Sequence, residues 1–201
     1  ERSHPRPRPF KSGKRADCGV TPEEFLALSQ KRKSVRYYKE KNVSRELLDR
    51  AVDIARQAPS ACNRQPFHFR IFDDPGLVSE LAEVPMGISG DAARPPVLIA
   101  VIGEQRAFKY ERDRHLIYID GALAAMNLML ALETLGLASC PVNWPDIPEK
   151  EREWRNGVHM EPDEEIVMLI TAGYADPSEM VAWSERKPIE YIRQYNLQQN
   201  G

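Results

Sequence analysis

The sequence predicts an α+β fold, and three observations carry that prediction. Two helical segments precede the first strand, and the later elements do not follow the strand–helix–strand alternation that a parallel sheet requires. The stretches 97–103, "VLIAVIG", and 164–174, "EEIVMLITAGY", are apolar, β-branched runs, as expected of central strands. From Asp120 to Leu135 the chain reads as a long helix in which only Asn127 is polar between Gly121 and Leu132, so it belongs in the interior or in a subunit interface. With 201 residues, 42% hydrophobic and 29% charged, the chain fits one folded domain with a substantial core and no internal repeat.

The elements follow in order. Residues 21–33 read as a helix: Thr21 is the N-cap, Pro22 suits the first turn and Glu24 completes a capping box. Ser44 caps a second helix to Gln57, in which Leu47, Leu48, Ala51, Ile54 and Ala55 recur at helical spacing. Pro59 ends it and opens a loop to Pro66. "FHFRIFDD", 67–74, alternates large apolar and polar groups, as a strand with one buried face would. A short helix from Pro75 to Val84 leads into a Gly/Pro-punctuated connection, 86–96. Residues 104–118 are highly charged and carry no clear period. Gly136 can terminate the long helix, and Ile189 to Tyr195 reads as a terminal helix or extension.

Charge and cysteine usage exclude several classes. The net charge of −2 gives no general reason to expect nucleic acid or a membrane surface as partner. The charge is uneven, however. Residues 1–15 hold six basic side chains and one acidic, a charge of +5, which leaves −7 on the rest. This Pro-rich stretch opens residues 1–20, read as a disordered basic arm ahead of a domain over 21–201; it lacks the apolar core of a targeting signal. The first residue is not Met, which is compatible with a segment of a longer polypeptide. No uninterrupted apolar run approaches the ~20 residues of a bilayer span. Cys18, Cys62 and Cys140 form neither a disulfide framework nor a zinc pattern, so reduced thiols in a cytoplasm are the simplest account. There is no NTPase phosphate loop, dinucleotide-binding glycine signature, H-E-x-x-H or nucleophile elbow, and His4, His68, His115 and His159 read as surface or packing residues.

Two segments stand out. "RKSVRYY", 32–38, places Arg32, Lys33 and Ser34 where the first helix ends and Arg36 in extended chain, where Ser34 and Arg36 share a side. A phosphate monoester needs such charge-assisted donors, although a basic helix C-terminus complementing its dipole explains them equally well in isolation. In "APSACNRQP", 58–66, Ser60, Asn63 and Gln65 place a hydroxyl and two amides on a loop fixed by Pro59 and Pro66; a plain turn is the alternative. Together with "DGALAAMNLMLALETLGLASC" in the middle and "GYADPSEMVAWSERKPIEYI" near the end, these segments resemble the nitroreductase family from about Thr21 to Tyr195. Three family patterns are present in order: the cation-rich R-K-S-x-R-x-Y, then P-S-x-x-N-x-Q-P, then a late R-K-P.

That resemblance implies an FMN-binding homodimer with a mostly antiparallel central sheet, a C-terminal extension onto the partner, and two interfacial active sites built by both chains. It implies that Arg32, Ser34 and Arg186 hold the FMN phosphate, with Lys33 in the same cluster and Ser184 beside it. Arg36 matches the cation near flavin N1 and the C2 carbonyl, where reduction leaves negative charge; Arg stays charged when buried, unlike Lys. Pro59, Ser60 and Ala61 match the segment that reaches the cofactor from the partner, with Asn63 and Gln65 behind them. Pro141, Val142, Asn143 and Trp144 match the stretch passing one flavin face, with backbone donors near Asn143 and Trp144 directed at N5 and O4. No side-chain acid or base is required. NADH or NADPH is the implied donor and a small electron-poor molecule, a nitroaromatic or quinone, the acceptor, in ping-pong order. Two alternatives stay open: an FMN-binding scaffold without turnover, and the oxygen-dependent flavin-destroying branch, which carries Asp where this chain has Ser34. The chain also departs from its relatives. Trp144 and Pro145 stand where many have Gly first, Ser184 stands where some have a cation, and 73–96 is too short for the helical lid of the related iodotyrosine deiodinases. Cys62 has no identifiable base and reads as a loop filler.

Overall fold

A computed structural model describes residues 9–88 and 94–196. Residues 9–20 are exposed throughout and hold one 3-10 turn, Ser12–Lys14; the rest of the expected arm, and part of the expected 86–96 connection, lie outside the described residues. The first helix, α1 (Pro22–Lys31), starts on the expected capping box: Thr21 Oγ1 accepts the Glu24 N–H at 3.2 Å while Glu24 Oε2 accepts the Thr21 N–H at 2.8 Å. The second, α2 (Arg45–Ala55), has Ser44 at its N-cap position without a side-chain capping bond. Then come β1 (Phe67–Phe72), α3 (Pro75–Ala82) and β2 (Val97–Glu104). Asp74 caps α3 by accepting the Leu77 N–H at 2.9 Å. The charged stretch that follows forms two 3-10 turns, Gln105–Ala107 and Glu111–Asp113.

The long helix, α4 (Leu116–Thr134), begins a turn earlier than its sequence pattern implies, so Asp120 lies inside it. It ends at Gly136, which has φ +79°. There the N–H groups of Gly136 and Leu137 donate to the Glu133 and Leu132 carbonyls at 3.2 and 2.9 Å, a glycine-terminated helix end. With its preceding turn, Glu111–Thr134 is long and apolar enough by composition to cross a membrane, and half of that window is buried within this molecule.

Two elements were not foreseen. β3 (Ala138–Asn143) is a strand although it contains Pro141, and α5 (Pro148–Gly157) is a helix although it has almost no apolar period. β3 sits at a sheet edge, where a proline without an N–H is tolerated. α5 starts on Pro148 and carries the ion pairs Glu149–Arg152, Lys150–Glu153 and Glu151–Arg155 on its outer faces. Its single buried side chain is Trp154. β4 (Glu164–Gly173) and the short, exposed α6 (Ile189–Ile192) complete the chain.

The four strands form one antiparallel sheet in the order β1-β2-β4-β3. The continuous apolar run of β2 has a direct cause: both sheet faces are covered. Val97, Ile99 and Val101 join Leu48, Ala51, Leu128 and Leu132 of α2 and α4 on one side. Leu98, Ala100 and Ile102 join Val78, Leu81 and Trp154 of α3 and α5 on the other. β1, at the opposite edge from β3, is half-buried along its whole length instead of showing one buried face.

Candidate functional site

The cation-rich segment leaves α1 and runs along the outer edge of β3. Arg32 caps α1, its N–H donating to the Leu28 carbonyl at 3.0 Å. Ser34 forms an isolated parallel bridge with Ser139, and the Val35 N–H donates to the Ser139 carbonyl at 3.1 Å. Three residues on, the buried Tyr38 hydroxyl donates to the Val35 carbonyl at 2.6 Å and lies 2.7 Å from Thr171 Oγ1, which pins the segment to β4. Arg32, Ser34 and Arg36 therefore converge on Cys140. Burial pushes the Cys140 thiol up, against the opposing pull of the Arg36 charge, a hydrogen bond with Ser34 and the Arg32 charge. Within this group Arg32 Nε is buried without a hydrogen-bond partner. A buried guanidinium N–H without a protein acceptor is a group that a bound anion or an ordered water satisfies. Lys33 Nζ lies 5.8 Å over the Trp183 ring of the C-terminal segment. Ser184 and Arg186 lie on the exposed tail, where Arg186 Nη1 donates to the Ser184 carbonyl at 3.2 Å.

The second predicted group is elsewhere. Residues 60–65 form a tight loop in which Cys62, Asn63 and Gln65 all have positive φ, between 51° and 53°. A cluster of left-handed non-glycine residues is strained backbone, which accumulates at functional sites. Ser60 Oγ closes the loop by accepting the Gln65 N–H at 2.9 Å, and Asp120 Oδ2 of α4 accepts the Ala61 N–H at 3.0 Å. Pro59, Asn63 and Gln65 are exposed.

Register places these groups at diagonally opposite corners. Ser34 pairs outside β3, in the row Ser139, Ala172, Val97; the loop feeds β1 in the row Phe67, Gly103, Glu165. Four strand spacings of ~4.8 Å make the separation about 19 Å across the sheet, and six residues of β2 make it about 20 Å along the strands. One chain does not bring the two segments together.

The stretch Pro141–Trp144 lies on the same edge as Ser34. β3 runs from Ser139 beside Ser34 to Asn143, four residues or about 13 Å. Asn143 is exposed at its end. Beyond it the chain leaves β4, and a cavity of about 380 Å³ opens, lined by Tyr118, Trp144, Asp146, Glu151 and Glu165 among others. The Trp144 ring forms one wall, held edge-on to Trp154 at 5.4 Å, with its Nε1–H donating to Glu151 Oε2 at 3.1 Å. Burial, then the charges of Glu151 and Asp146, hold Glu165 above the ordinary carboxylate range. Burial, then Glu165, Asp146 and Glu151, likewise push the Tyr118 phenol up.

Among the described residues, His68, Glu104 and Glu164 form the one His/Asp/Glu group at metal-ligand spacing. Its lone pairs are already engaged. Arg70 donates to Glu164 at 2.6 Å and to His68 Nε2 at 3.2 Å, His68 Nδ1 lies 2.9 Å from Glu104, and Arg106 bridges Glu104 and Asp163 at 3.1 and 2.8 Å. The group is an arginine-neutralised network at the base of β1. Sequence reasoning also missed Asp120; a single acid near the start of an otherwise apolar helix was the available signal.

The Nitroreductase family model matches residues 30–88 and 87–174. An iodotyrosine deiodinase of Thermotoga neapolitana is 29% identical over 173 residues, covering 74% of this chain and 87% of its own length. An NADH dehydrogenase of Thermus thermophilus is 28% identical over 192 residues, covering 81% and 91%. In structure, the chain superimposes on an FMN-dependent nitroreductase of Clostridium difficile with a TM-score of 0.72 at 20% identity, covering 86% of this chain and 99% of that one. On the match across most of its folded length, this chain belongs to the nitroreductase family.

Proposed function

We propose that this chain binds FMN at the edge of β3 and works as a homodimeric NAD(P)H oxidoreductase acting on small electron-poor acceptors such as nitroaromatics or quinones. The observation that carries the reading is the unsatisfied Arg32 Nε, buried beside Ser34 and Arg36. A dianionic phosphate supplies the acceptors this group lacks. Arg32, Lys33 and Ser34 would hold the phosphate, and Asn143 and Trp144 would stand at the ring end of the same edge. Bound FMN supplies two-electron transfer, taking a hydride equivalent from the dihydronicotinamide and passing it with a proton to the acceptor. The residues position and exclude: Trp144 walls the adjoining cavity, and the exposed Arg36 places a fixed positive charge by the cofactor edge. Donor and acceptor would use the same opening in turn, which makes the kinetics ping-pong.

The corner-to-corner separation of Arg32–Arg36 and Ser60–Gln65 supports a site shared between two copies. So does the exposed tail bearing Ser184 and Arg186, which would lie on the partner. The test is the visible spectrum of the purified protein, followed by anaerobic addition of NADH and of NADPH. Flavin bands that bleach with either donor are expected. Arg32→Ala should raise the FMN dissociation constant at least tenfold. Colourless protein that ignores added FMN, or bound flavin that neither donor reduces, overturns the reading.

A further inference from the structure

Asp120 is 3% exposed, on a helix whose other buried residues are apolar or glycine, and among the described residues no cation forms an ion pair with it. Taking a carboxylate out of water without a counter-ion is unfavourable. Its Oδ2 accepts the Ala61 N–H at 3.0 Å. That amide opens the loop in which Cys62, Asn63 and Gln65 hold left-handed conformations. Left-handed conformations disfavour residues with a Cβ, so the loop keeps its shape only if surrounding bonds impose it. The remaining bonds come from within the loop or from its exposed Arg64, which donates to the Ala107 carbonyl. Among the described residues, Asp120 is the side chain of α4 that bonds this loop to the buried helix layer. On its two sides along α4 lie the exposed Ile119 and Leu123.

We infer that Asp120 is a positioning residue: it locks the Ser60–Gln65 loop in the form that reaches the cofactor, and fixes it to the helix that would carry the second copy. The inference rests on the function proposed above. With the Ala61 amide held by the carboxylate and Ser60 Oγ closing the loop, Asn63 and Gln65 stay exposed with their backbone already shaped. A side chain that merely filled space would be replaceable by any residue of similar volume. A side chain acting through its acceptor oxygen is replaceable only by one that keeps an acceptor.

The experiment compares wild type, Asp120→Ala, Asp120→Asn and Asp120→Leu by hydrogen exchange at residues 59–66 without added FMN, and by titration with FMN. Expected is slow exchange at the Ala61 amide in the wild type. Asp120→Leu and Asp120→Ala should speed that exchange at least tenfold and weaken FMN binding about tenfold, and Asp120→Asn should restore most of both. Unprotected Ala61 in the wild type overturns the inference even if every variant misfolds. Asp120→Leu equal to wild type in both readouts also overturns it. If the wild type binds no FMN, the proposed function fails, while the exchange result still decides whether the carboxylate holds the loop.

Discussion

Single residues show where the fold departs from an inert scaffold. Glu165 lines the cavity beside Trp144 with its carboxyl held above the ordinary range by burial first, and then by Glu151 and Asp146. For an acid with a raised folded pKa, the unfolded chain releases its proton at lower pH than the folded one. Stability therefore falls as pH rises from the unfolded value toward the folded one, and the full penalty is present at neutral pH. Glu165→Gln is expected to raise Tm slightly at pH 7 and to give no gain near pH 4, the effect being small because solvent screens this partly exposed carboxyl. Thermal melts at the two pH values check this; equal shifts at both would show that packing, not charge, dominates. Arg32 and Glu165 differ in how legible they were. "RKSVR" marked the cations directly, because they stand next to one another in the chain. Glu165 became notable only when β3 left β4 and opened a space beside it.

At the level of elements, the ionic network joins β1, β2 and β4 at the end where the strained loop enters the sheet. Glu164 is 3% exposed. Burial alone would push its carboxyl up; the Glu161 N–H and the charges of Arg70 and His68 outweigh this and hold it below the ordinary range. Arg70 also donates to the His159 carbonyl, so one side chain ties β1 to the segment before β4. Removing one partner of a buried pair is strongly destabilising. Arg70→Met should lose about 1–3 kcal/mol at pH 7, since Arg106 and His68 still face Glu164. Glu164 has a depressed folded pKa, so the stability it lends is present above the unfolded value near 4.5 and lost as pH falls through the folded one. The gap between Arg70→Met and wild type in denaturant melts should therefore narrow below about pH 4. A gap constant with pH would point to lost packing of the arginine stem. Elements with strong local signals, such as α1 with its capping box, were legible. β3 and α5 were not, because an edge strand tolerates proline and a helix packed through one tryptophan has no apolar period.

At the level of the whole molecule, apolar groups remain uncovered. Ile119, Leu123 and Met126 are 50%, 43% and 40% exposed and form one stripe along α4. Met180, Trp183, Tyr191 and Ile192 of the C-terminal segment are more exposed still. Contiguous apolar surface of this kind marks an interaction face. The proposed dimer would cover it, and the same contact would bring the loop of one copy to the β3 edge of the other. The double variant Leu123→Glu/Met126→Glu should therefore be monomeric by light scattering and should lose FMN, although neither residue lies at the β3 edge. A variant that stays dimeric would place the interface elsewhere.

The sequence by itself determined the α+β class, the central strands, the interior helix and the cation cluster, because each depends on residues close together in the chain. Only the tertiary structure decided that the two predicted segments occupy opposite corners of one sheet, that Asp120 reaches Ala61, and that Glu164 is shared by two arginines and a histidine. Those facts depend on strand order and register. Both arise when distant segments compete to cover the two faces of β2, a competition that no local pattern records.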